Sequence, residues 1–377
     1  MKRITIIGAG IGGLTAAIAL QQKGFTIEIF ENTRTFGRVG SGINLALNAM
    51  QVYKRLGIYN DILARAHVTN SMNLRSKSLG ILAALDLKKL ATDYKVQAAA
   101  IHRAELHEVL LRQLENVTIH RNKKLIHVEQ INGLVHLSFS DGTEHQAELV
   151  IGADGINSAV RQSIFENSEL RDAEQVCWRG ISSATLGSSF KNELNEIWGK
   201  GDRFGFVHIN KEEVYWFALI NKDKFNAHKN IDLLKQFSDY HPMVQDIIAE
   251  TPQENIMYNE LWDLKPIPKW YEANVCLLGD AAHATTPNMG QGAVQAVESA
   301  MALSICLAEE SSVEKAFARY QSIRMDKANH VTNTSWKIGK LAQLNNPIGI
   351  VLRNILLKIT PSKITELKNR KLYDLNY

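Results

Sequence analysis

Cysteine is scarce in this sequence: Cys177, Cys276 and Cys306 are odd in number, widely spaced and set in apolar or helical surroundings. They offer neither a disulfide framework nor a metal-ligand spacing, so they read as buried free thiols, with no metal site. No run is long enough and apolar enough to span a bilayer. The first strand begins at residue 2 or 3, which leaves no room for a secretory signal, and a cytoplasmic location is expected. An excess of one charge is also lacking. A net charge of +4 suits anionic cofactors but is too weak to argue for nucleic acid. There is no internal repeat and no low-complexity segment. The 45% hydrophobic and 22% charged fractions are those of a soluble globular chain, and 377 residues suffice for two interleaved domains.

What is present is glycine in three informative places. Lys2–Ile7 reads as a strand, Gly8-Ala9-Gly10-Ile11-Gly12-Gly13 as a tight turn, and Leu14–Lys23 as an apolar helix; a second strand, Phe25–Phe30, ends on Glu31. This is a dinucleotide-binding turn with its strand, helix and acid in place. Gly8 makes the turn, Gly10 lets a pyrophosphate approach the helix N-terminus, and Gly13 lets helix and strand pack. Glu31 is placed to accept bonds from ribose hydroxyls. The pattern does not choose between NAD and FAD. Only one such fingerprint is present, so no separate nicotinamide domain is expected.

Near the other end, Val275–Leu278 reads as a buried strand that stops at Gly279-Asp280. A small-residue turn through Pro287 and Gly290-Gln291-Gly292 follows, and a helix opens with Ala293 and Val294. An uncapped helix N-terminus presents free N–H groups and about half a unit of positive charge. Between these ends, Glu148–Ala153 is a buried strand leading into Asp154-Gly155. Gly37–Ile43, containing Arg38, is a further glycine-rich loop that can lie against a ligand or be a plain connection, followed by a helix at Ala46–Leu56. A helix is expected from Ile101, where Arg103 is oddly placed for a cation unless it has an anion partner.

The remaining segments read as follows. Val117–Arg121, Lys124–Gln130 and Leu134–Ser140 are strands, and 73–100 is irregular apart from strand-like pieces at Met72–Ser76 and Leu79–Leu87. Cys177–Thr185, Glu193–Lys200, Asp202–Ile209 and Glu213–Leu219 alternate as an antiparallel sheet; Trp178, Phe204, Trp216 and Phe217 read as packing. Ile231–Tyr240 and Met243–Glu250 are helical, Glu254–Asp263 is a strand, and Pro266 and Pro268 mark a crossing back. Long helices close the chain near Ala293–Glu309, Val313–Gln343 and Ile348–Ile359, interrupted by Pro347 and Pro361. The basic run Lys363–Lys371 reads as a solvated helix face.

Gly8-x-Gly10-x-x-Gly13, Gly152-Ala153-Asp154-Gly155, and Gly279-Asp280-Ala281-Ala282-His283 with Pro287 and Gly290-Gln291-Gly292 occur in an order that resembles the single-component FAD-dependent aromatic hydroxylases, which have the fold of para-hydroxybenzoate hydroxylase. The salicylate-, kynurenine- and urate-hydroxylase-like branches are the most similar. The resemblance covers nearly the whole chain and implies an α/β fold. A Rossmann-like FAD-binding domain (1–72, 98–174 and 266–345) would be interleaved with an antiparallel-sheet α+β substrate domain (73–97 and 175–265), with C-terminal helices at 346–377.

It implies FAD as cofactor, NADPH or NADH as transient co-substrate, and O2 and a small aromatic or heteroaromatic compound as substrates. Oxygen transfer would pass through a flavin C4a-hydroperoxide. Neither nucleic acid nor stable membrane association is expected, and the protein would be a monomer or homodimer. In this resemblance Gly8, Gly10, Ile11, Gly12, Gly13, Glu31, Arg38, Arg103, Asp154, Gly155, Gly279, Asp280, Pro287, Gly290, Gly292, Ala293 and Val294 belong to the cofactor site. Arg203 and Tyr215 match substrate contacts and stand as the catalytic candidates, while His283 is expected to be structural. Val294 stands where many relatives have asparagine, and Ser299 where an acid is frequent. The competing readings are a non-catalytic flavin-binding redox sensor and a halogenase of the same fold; the Trp-x-Trp-x-Ile-Pro signature of the halogenases is missing.

Overall fold

In a computed structural model, residues 3–37, 41–165, 168–224 and 231–377 are described. Arg38 therefore lies outside the described residues. Among these, the first strand, Arg3–Ile7, sits inside a six-stranded sheet ordered Tyr271–Glu272, Val275–Leu277, Val150–Gly152, Arg3–Ile7, Thr26–Phe30, Thr118–His120. All neighbours are parallel except the Tyr271–Glu272 edge. Parallel strands are covered on both faces, which is why these segments are almost continuously apolar rather than alternating. Ile4, Ile6, Val150, Ile151, Val275, Cys276 and Leu277 are all fully buried.

The order explains how the two ends of the chain meet. Val275–Leu277 pairs with Val150–Gly152, which pairs with Arg3–Ile7, so three ligand-facing turns leave the same sheet edge side by side. The helix Ile11–Gln22 then packs on the helix Gly292–Glu309. A Cβ on Gly12 would come within 3.1 Å of the Ala296 Cβ, and one on Gly279 within 3.0 Å. Small residues on both partners are what allow this approach.

The second large sheet has seven strands, ordered Met257–Leu264, Leu170–Ser182, Val214–Asn221, Asp202–His208, Glu193–Trp198, Ser71–Arg75, Ile81–Asp86. It is antiparallel except where Glu193–Trp198 runs parallel to Ser71–Arg75. Alternation gives it two faces. Trp178, Phe204, Phe206 and Trp216 point to one side, where they form a core with Phe237, Val244 and Ile247. Phe204 and Trp216 stack at 5.5 Å, and the Trp216 indole N–H donates to Thr251 Oγ1 at 2.8 Å. Cys177, Arg179, Tyr215, Phe217 and Leu219 point to the other side. All three cysteines are buried and free, as the sequence predicts.

Several elements differ from the sequence reading. Ile101 and His102 end a buried strand, Ala98–His102, and the helix starts at Arg103, capped by His102 Nδ1, which accepts from the Ala104 N–H at 3.1 Å. That strand pairs with Gly42–Leu45 and His67–Thr69 in a small antiparallel sheet. An unforeseen helix, Leu87–Tyr94, begins where Asp86 Oδ1 accepts from the Lys89 N–H at 2.9 Å. Thr118–His120 joins the parallel sheet, while Leu125–Ile131, Leu134–Phe139 and Glu144–Ala147 make a separate meander. Pro347 begins its helix instead of interrupting one, behind an Asn346 cap, and Pro361 separates Pro347–Ile359 from Ser362–Tyr373.

Ser299, which stands where an acid is frequent, has an acid beside it. The adjoining Glu298 is fully buried and pairs with Arg324 at 2.6 Å and Lys327 at 2.8 Å, while the Ser299 hydroxyl bonds His283 and Arg324.

The tightest backbone approach is at the first turn. Gly8 has φ +105°, and a Cβ on Gly13 would lie 2.0 Å from the Gly8 carbonyl oxygen. Gly13→Ala must therefore push helix and strand apart, at a cost of about 1–3 kcal/mol. Urea denaturation is expected to show a lower midpoint with an unchanged m-value; an unchanged midpoint would mean that the turn is loosely packed.

Candidate cofactor and substrate site

The glycine turns open onto a cavity of about 420 Å³ between the two large sheets, and a second of about 500 Å³ lies beside the Glu31 turn. Gly10 and Arg103 line both, so the two form one bent trough. Of the residues picked out from sequence, Gly10, Ile11, Gly12, Arg103, Gly155, Arg203, Tyr215, Gly279, Asp280, Pro287, Gly290, Gly292 and Ala293 line the first cavity, and Glu31 lines the second. Gly8 and Gly13 shape the turn from behind. Val294 is buried away from the cavity.

Asp154 does not reach the trough. Its carboxylate is spent locally, accepting from the Ser158 hydroxyl at 2.5 Å and the Val160 N–H at 3.1 Å, and only its neighbours Ala153 and Gly155 face the cavity. Burial raises its pKa against these bonds.

Two helix N-termini point at the trough, Ile11–Gln22 from Gly10 and Gly292–Glu309 from Gln291, and neither has a side-chain cap. Their free N–H groups and partial positive charge suit an anionic ligand. A Cβ on Gly10 would meet nothing within 4 Å, so the backbone there is bare toward the trough. Glu31 is held by the Ala9 and Thr33 N–H groups, each at 2.7 Å, at the rim of the second cavity. Arg103 stands where the cavities join, and its guanidinium has no hydrogen-bond or ion-pair partner among the described residues. Asp280 opens into the cavity yet is walled by protein; burial raises its pKa and the charge of Arg103 opposes the shift. A long dianion with hydroxyls at both ends fits this trough: acids at Glu31 and Asp280, bare amides between them, and one uncommitted cation at the bend. FAD has that chemistry.

The far wall is the seven-stranded sheet. Arg203 is 1% exposed, with its guanidinium already engaged: Nη1 donates to Glu196 Oε1 at 3.0 Å, and Nη2 to Gln175 Oε1 at 3.4 Å and to Asn288 Oδ1. It therefore clamps the sheet to the Pro287–Met289 turn, and Nε alone is left without a partner. The Tyr215 ring covers Gly42, where a Cβ would sit 2.4 Å from the ring, and burial pushes its hydroxyl pKa upward against the pull of Arg179 and Arg103.

Phe217, read as packing, packs against the cluster of Ala173, Cys177, Leu219 and Leu261 and also lines the cavity, with its ring over Gly205. Arg179, Cys177, Glu196 and Asn288 were missed. Period-two spacing links Cys177 and Arg179, and Tyr215 and Phe217, so the signal was there once the phase of one strand was known. Arg179 stands beside Cys177 and Tyr215 and, as a guanidinium, stays a cation despite its burial. No cluster of potential metal ligands occurs among the described residues.

A trough of this kind, on a parallel sheet with an antiparallel sheet over it, defines a dinucleotide-binding flavoprotein. A family profile described as "FAD binding domain" matches residues 1–335. The chain is 32% identical over 98% of its length, and 97% of the relative's, to the aurachin C monooxygenase/isomerase of Stigmatella aurantiaca. It is 29% identical to the 6-hydroxynicotinate 3-monooxygenase of Bordetella bronchiseptica, over 92% of this chain and 93% of that one. The crystal structure of a Klebsiella pneumoniae protein, HpxO, complexed with FAD and uric acid shares the fold, with a TM-score of 0.91 at 24% identity over 99% of this chain and 96% of that one. The chain belongs to the FAD-binding domain family, and with it to the FAD-dependent monooxygenases.

His283, which shares the third motif with Asp280, lies inside the protein away from the trough. It is buried, its Nε2 is 3.0 Å from Ser299 Oγ, and its ring lies 5.1 Å from that of Trp270. Burial, reinforced by Arg324, pushes its pKa down from 6.5 to about 3. The unfolded chain therefore takes up this proton first, and native stability is lost as pH falls from 6.5 toward 3. Urea melts at pH 7 and pH 5 should show the wild type losing about 2 kcal/mol more than His283→Gln. Equal losses would show that His283 is not held neutral.

Proposed function

We propose that the protein hydroxylates an oxygen-bearing nitrogen heterocycle, with NADPH or NADH as electron donor and O2 as the oxygen source. The observation that carries this reading is the composition of the sheet wall. An arginine and a tyrosine, Arg179 and Tyr215, are set among apolar Leu194, Val207, Phe217 and Leu219, with the committed Arg203 in the same wall. Such a wall takes a flat apolar ring and stabilises negative charge on its oxygen. Both 6-hydroxynicotinate, in the name of one relative, and uric acid, held in the crystal structure of HpxO, are oxygenated nitrogen heterocycles.

Bound FAD, once reduced by the nicotinamide, supplies activated oxygen that an electron-rich ring carbon can take. The chain supplies the rest. Arg103 and the two helix N-termini would hold the diphosphate, Glu31 the adenosine ribose, and Asp280 the ribityl chain. Pro287 and the Gly290–Ala293 backbone would line the flavin ring, where the helix N-terminus opening at Gly292 would favour negative charge. Arg179 draws the substrate toward its anionic form, which puts electron density on the ring, and Tyr215 orients it. Arg203 contributes mainly by fixing Asn288, so the sheet that carries substrate stays registered to the turn that carries cofactor. The segments 73–97 and 175–265 would act as the substrate domain on the FAD-binding remainder, with 346–377 appended.

The test is a panel of hydroxylated pyridines and quinolones screened for stimulated NADH or NADPH oxidation, followed by mass spectrometry under 18O2. One labelled oxygen in the product is expected; oxidation that yields only hydrogen peroxide with every compound would overturn the reading. With the compound so found, Arg179→Met should retain FAD and raise KM about 10- to 100-fold, as expected for losing a charged hydrogen bond of about 1.5–3 kcal/mol. Arg203→Ala should also keep FAD yet weaken the stimulation. An unchanged KM in Arg179→Met would remove that arginine from the substrate site.

A further inference from the structure

The helix Pro347–Ile359 is inside out. Its fully buried side chain is a cation, Arg353, whose Nη1 donates to Ala342 O at 3.0 Å and whose guanidinium lies 5.2 Å from the Trp198 ring. Its outer face carries Ile348, Val351, Leu352, Ile355, Leu356 and Ile359, between 52% and 72% exposed. These positions recur at intervals of three and four, so they form one continuous stripe along the helix. Ile364 and Leu367, exposed on the following helix Ser362–Tyr373, add to it. A helix of a water-soluble domain turns such a stripe inward; an apolar patch of this size marks a surface that docks.

The charges around it choose the occupant. Residues 347–373 contain Lys358, Lys363, Lys368 and Lys371 beside the single acid Glu366; of the two arginines, Arg353 is buried and Arg370 is paired with Asp93 and Glu366. Glu366 is already paired with Lys89 and Arg370. Lys358, Lys363, Lys368 and Lys371 are exposed and have no acidic partner among the described residues. A second copy of this face would bring two such cationic patches together. The helix has 13 residues and is therefore about 20 Å long, too short to span a bilayer and long enough to lie in its surface.

We propose that this face docks the protein on an anionic phospholipid surface, with the aliphatic stripe in the acyl boundary and the lysines among the headgroups. This departs from the sequence reading, in which Lys363–Lys371 is a solvated helix face and no stable membrane association is expected. The docked helix is also tied to the substrate wall. Arg353 Nη2 lies 3.5 Å from Gly199 O, and the Gly201 N–H donates to Leu344 O at 2.9 Å, in the turn between the strands that carry Glu196 and Arg203. The inference stands whichever heterocycle is the substrate.

The full-length holoprotein should co-sediment with vesicles of phosphatidylcholine and phosphatidylglycerol at 3:1, and release in high salt. Vesicles of phosphatidylcholine alone should retain it at least about tenfold less well, since each lysine at an anionic surface is worth roughly a fivefold change. The triple variant Leu352→Asp, Ile355→Asp, Ile359→Asp should lose sedimentation while keeping its flavin content and basal NADH oxidation, and the quadruple Lys358→Gln, Lys363→Gln, Lys368→Gln, Lys371→Gln should bind anionic vesicles at least about tenfold more weakly. Three results would overturn the proposal: wild type left in the supernatant, unchanged binding by the aspartate variant, or a wild-type dimer that ignores vesicles and becomes monomeric in that variant.

Discussion

The structure depends on a close approach between parts of the chain almost 300 residues apart. Gly12 in the first turn and Gly279 at the end of Val275–Leu277 both press on Ala296, which no larger residue on either partner would allow. Because of that contact, the helices Ile11–Gln22 and Gly292–Glu309 start beside one another, with both uncapped ends turned to the same space. The central sheet makes the meeting possible by placing Val150–Gly152 between the first and the late strand. A surface of backbone amides then faces the trough, and backbone amides are the one donor set that takes an anionic cofactor without side chains in the way.

The substrate wall obeys a different constraint. Both faces of the seven-stranded sheet are covered, one by the Trp178–Phe204–Trp216 core and the other by the cavity. Its register decides chemistry, since a slip by one residue would exchange Arg179 for Trp178 and Tyr215 for Trp216. The clamp from Arg203 to Glu196 and Asn288 couples this register to the cofactor turn. That coupling accounts for a fully buried arginine whose guanidinium is largely spent within the protein.

The sequence made the cofactor half legible because glycines there answer to steric demands that no other residue meets, and because buried parallel strands are unbroken apolar runs. Ala98–His102 was misread since a short run of alanines has no period of its own. Leu87–Tyr94 was missed because it follows a strand without glycine or proline, announced only by its Asp86 cap. The cavity side of Phe217, and Arg179 beside it, escape the sequence for a different reason. When a strand is buried on both faces, alternation reveals two sides without saying which meets the ligand. The Pro347–Ile359 helix has the same ambiguity: its periodicity is plain in sequence, but only the fold shows that Arg353 points inward.

Bare backbone at the first turn is what lets FAD come close enough for Arg103, Glu31 and Asp280 to reach it. Gly10 offers a direct measurement, because its backbone has φ −73° and a Cβ there would touch nothing within 4 Å, so a larger residue is tolerated by the protein and intrudes only on the trough. FAD titration of the apoprotein, followed by flavin fluorescence, should show that Gly10→Val keeps the wild-type melting profile in the apo form and loses at least about a hundredfold in affinity, or about 2.7 kcal/mol. A Gly10→Val protein that binds FAD as tightly as the wild type would contradict the account.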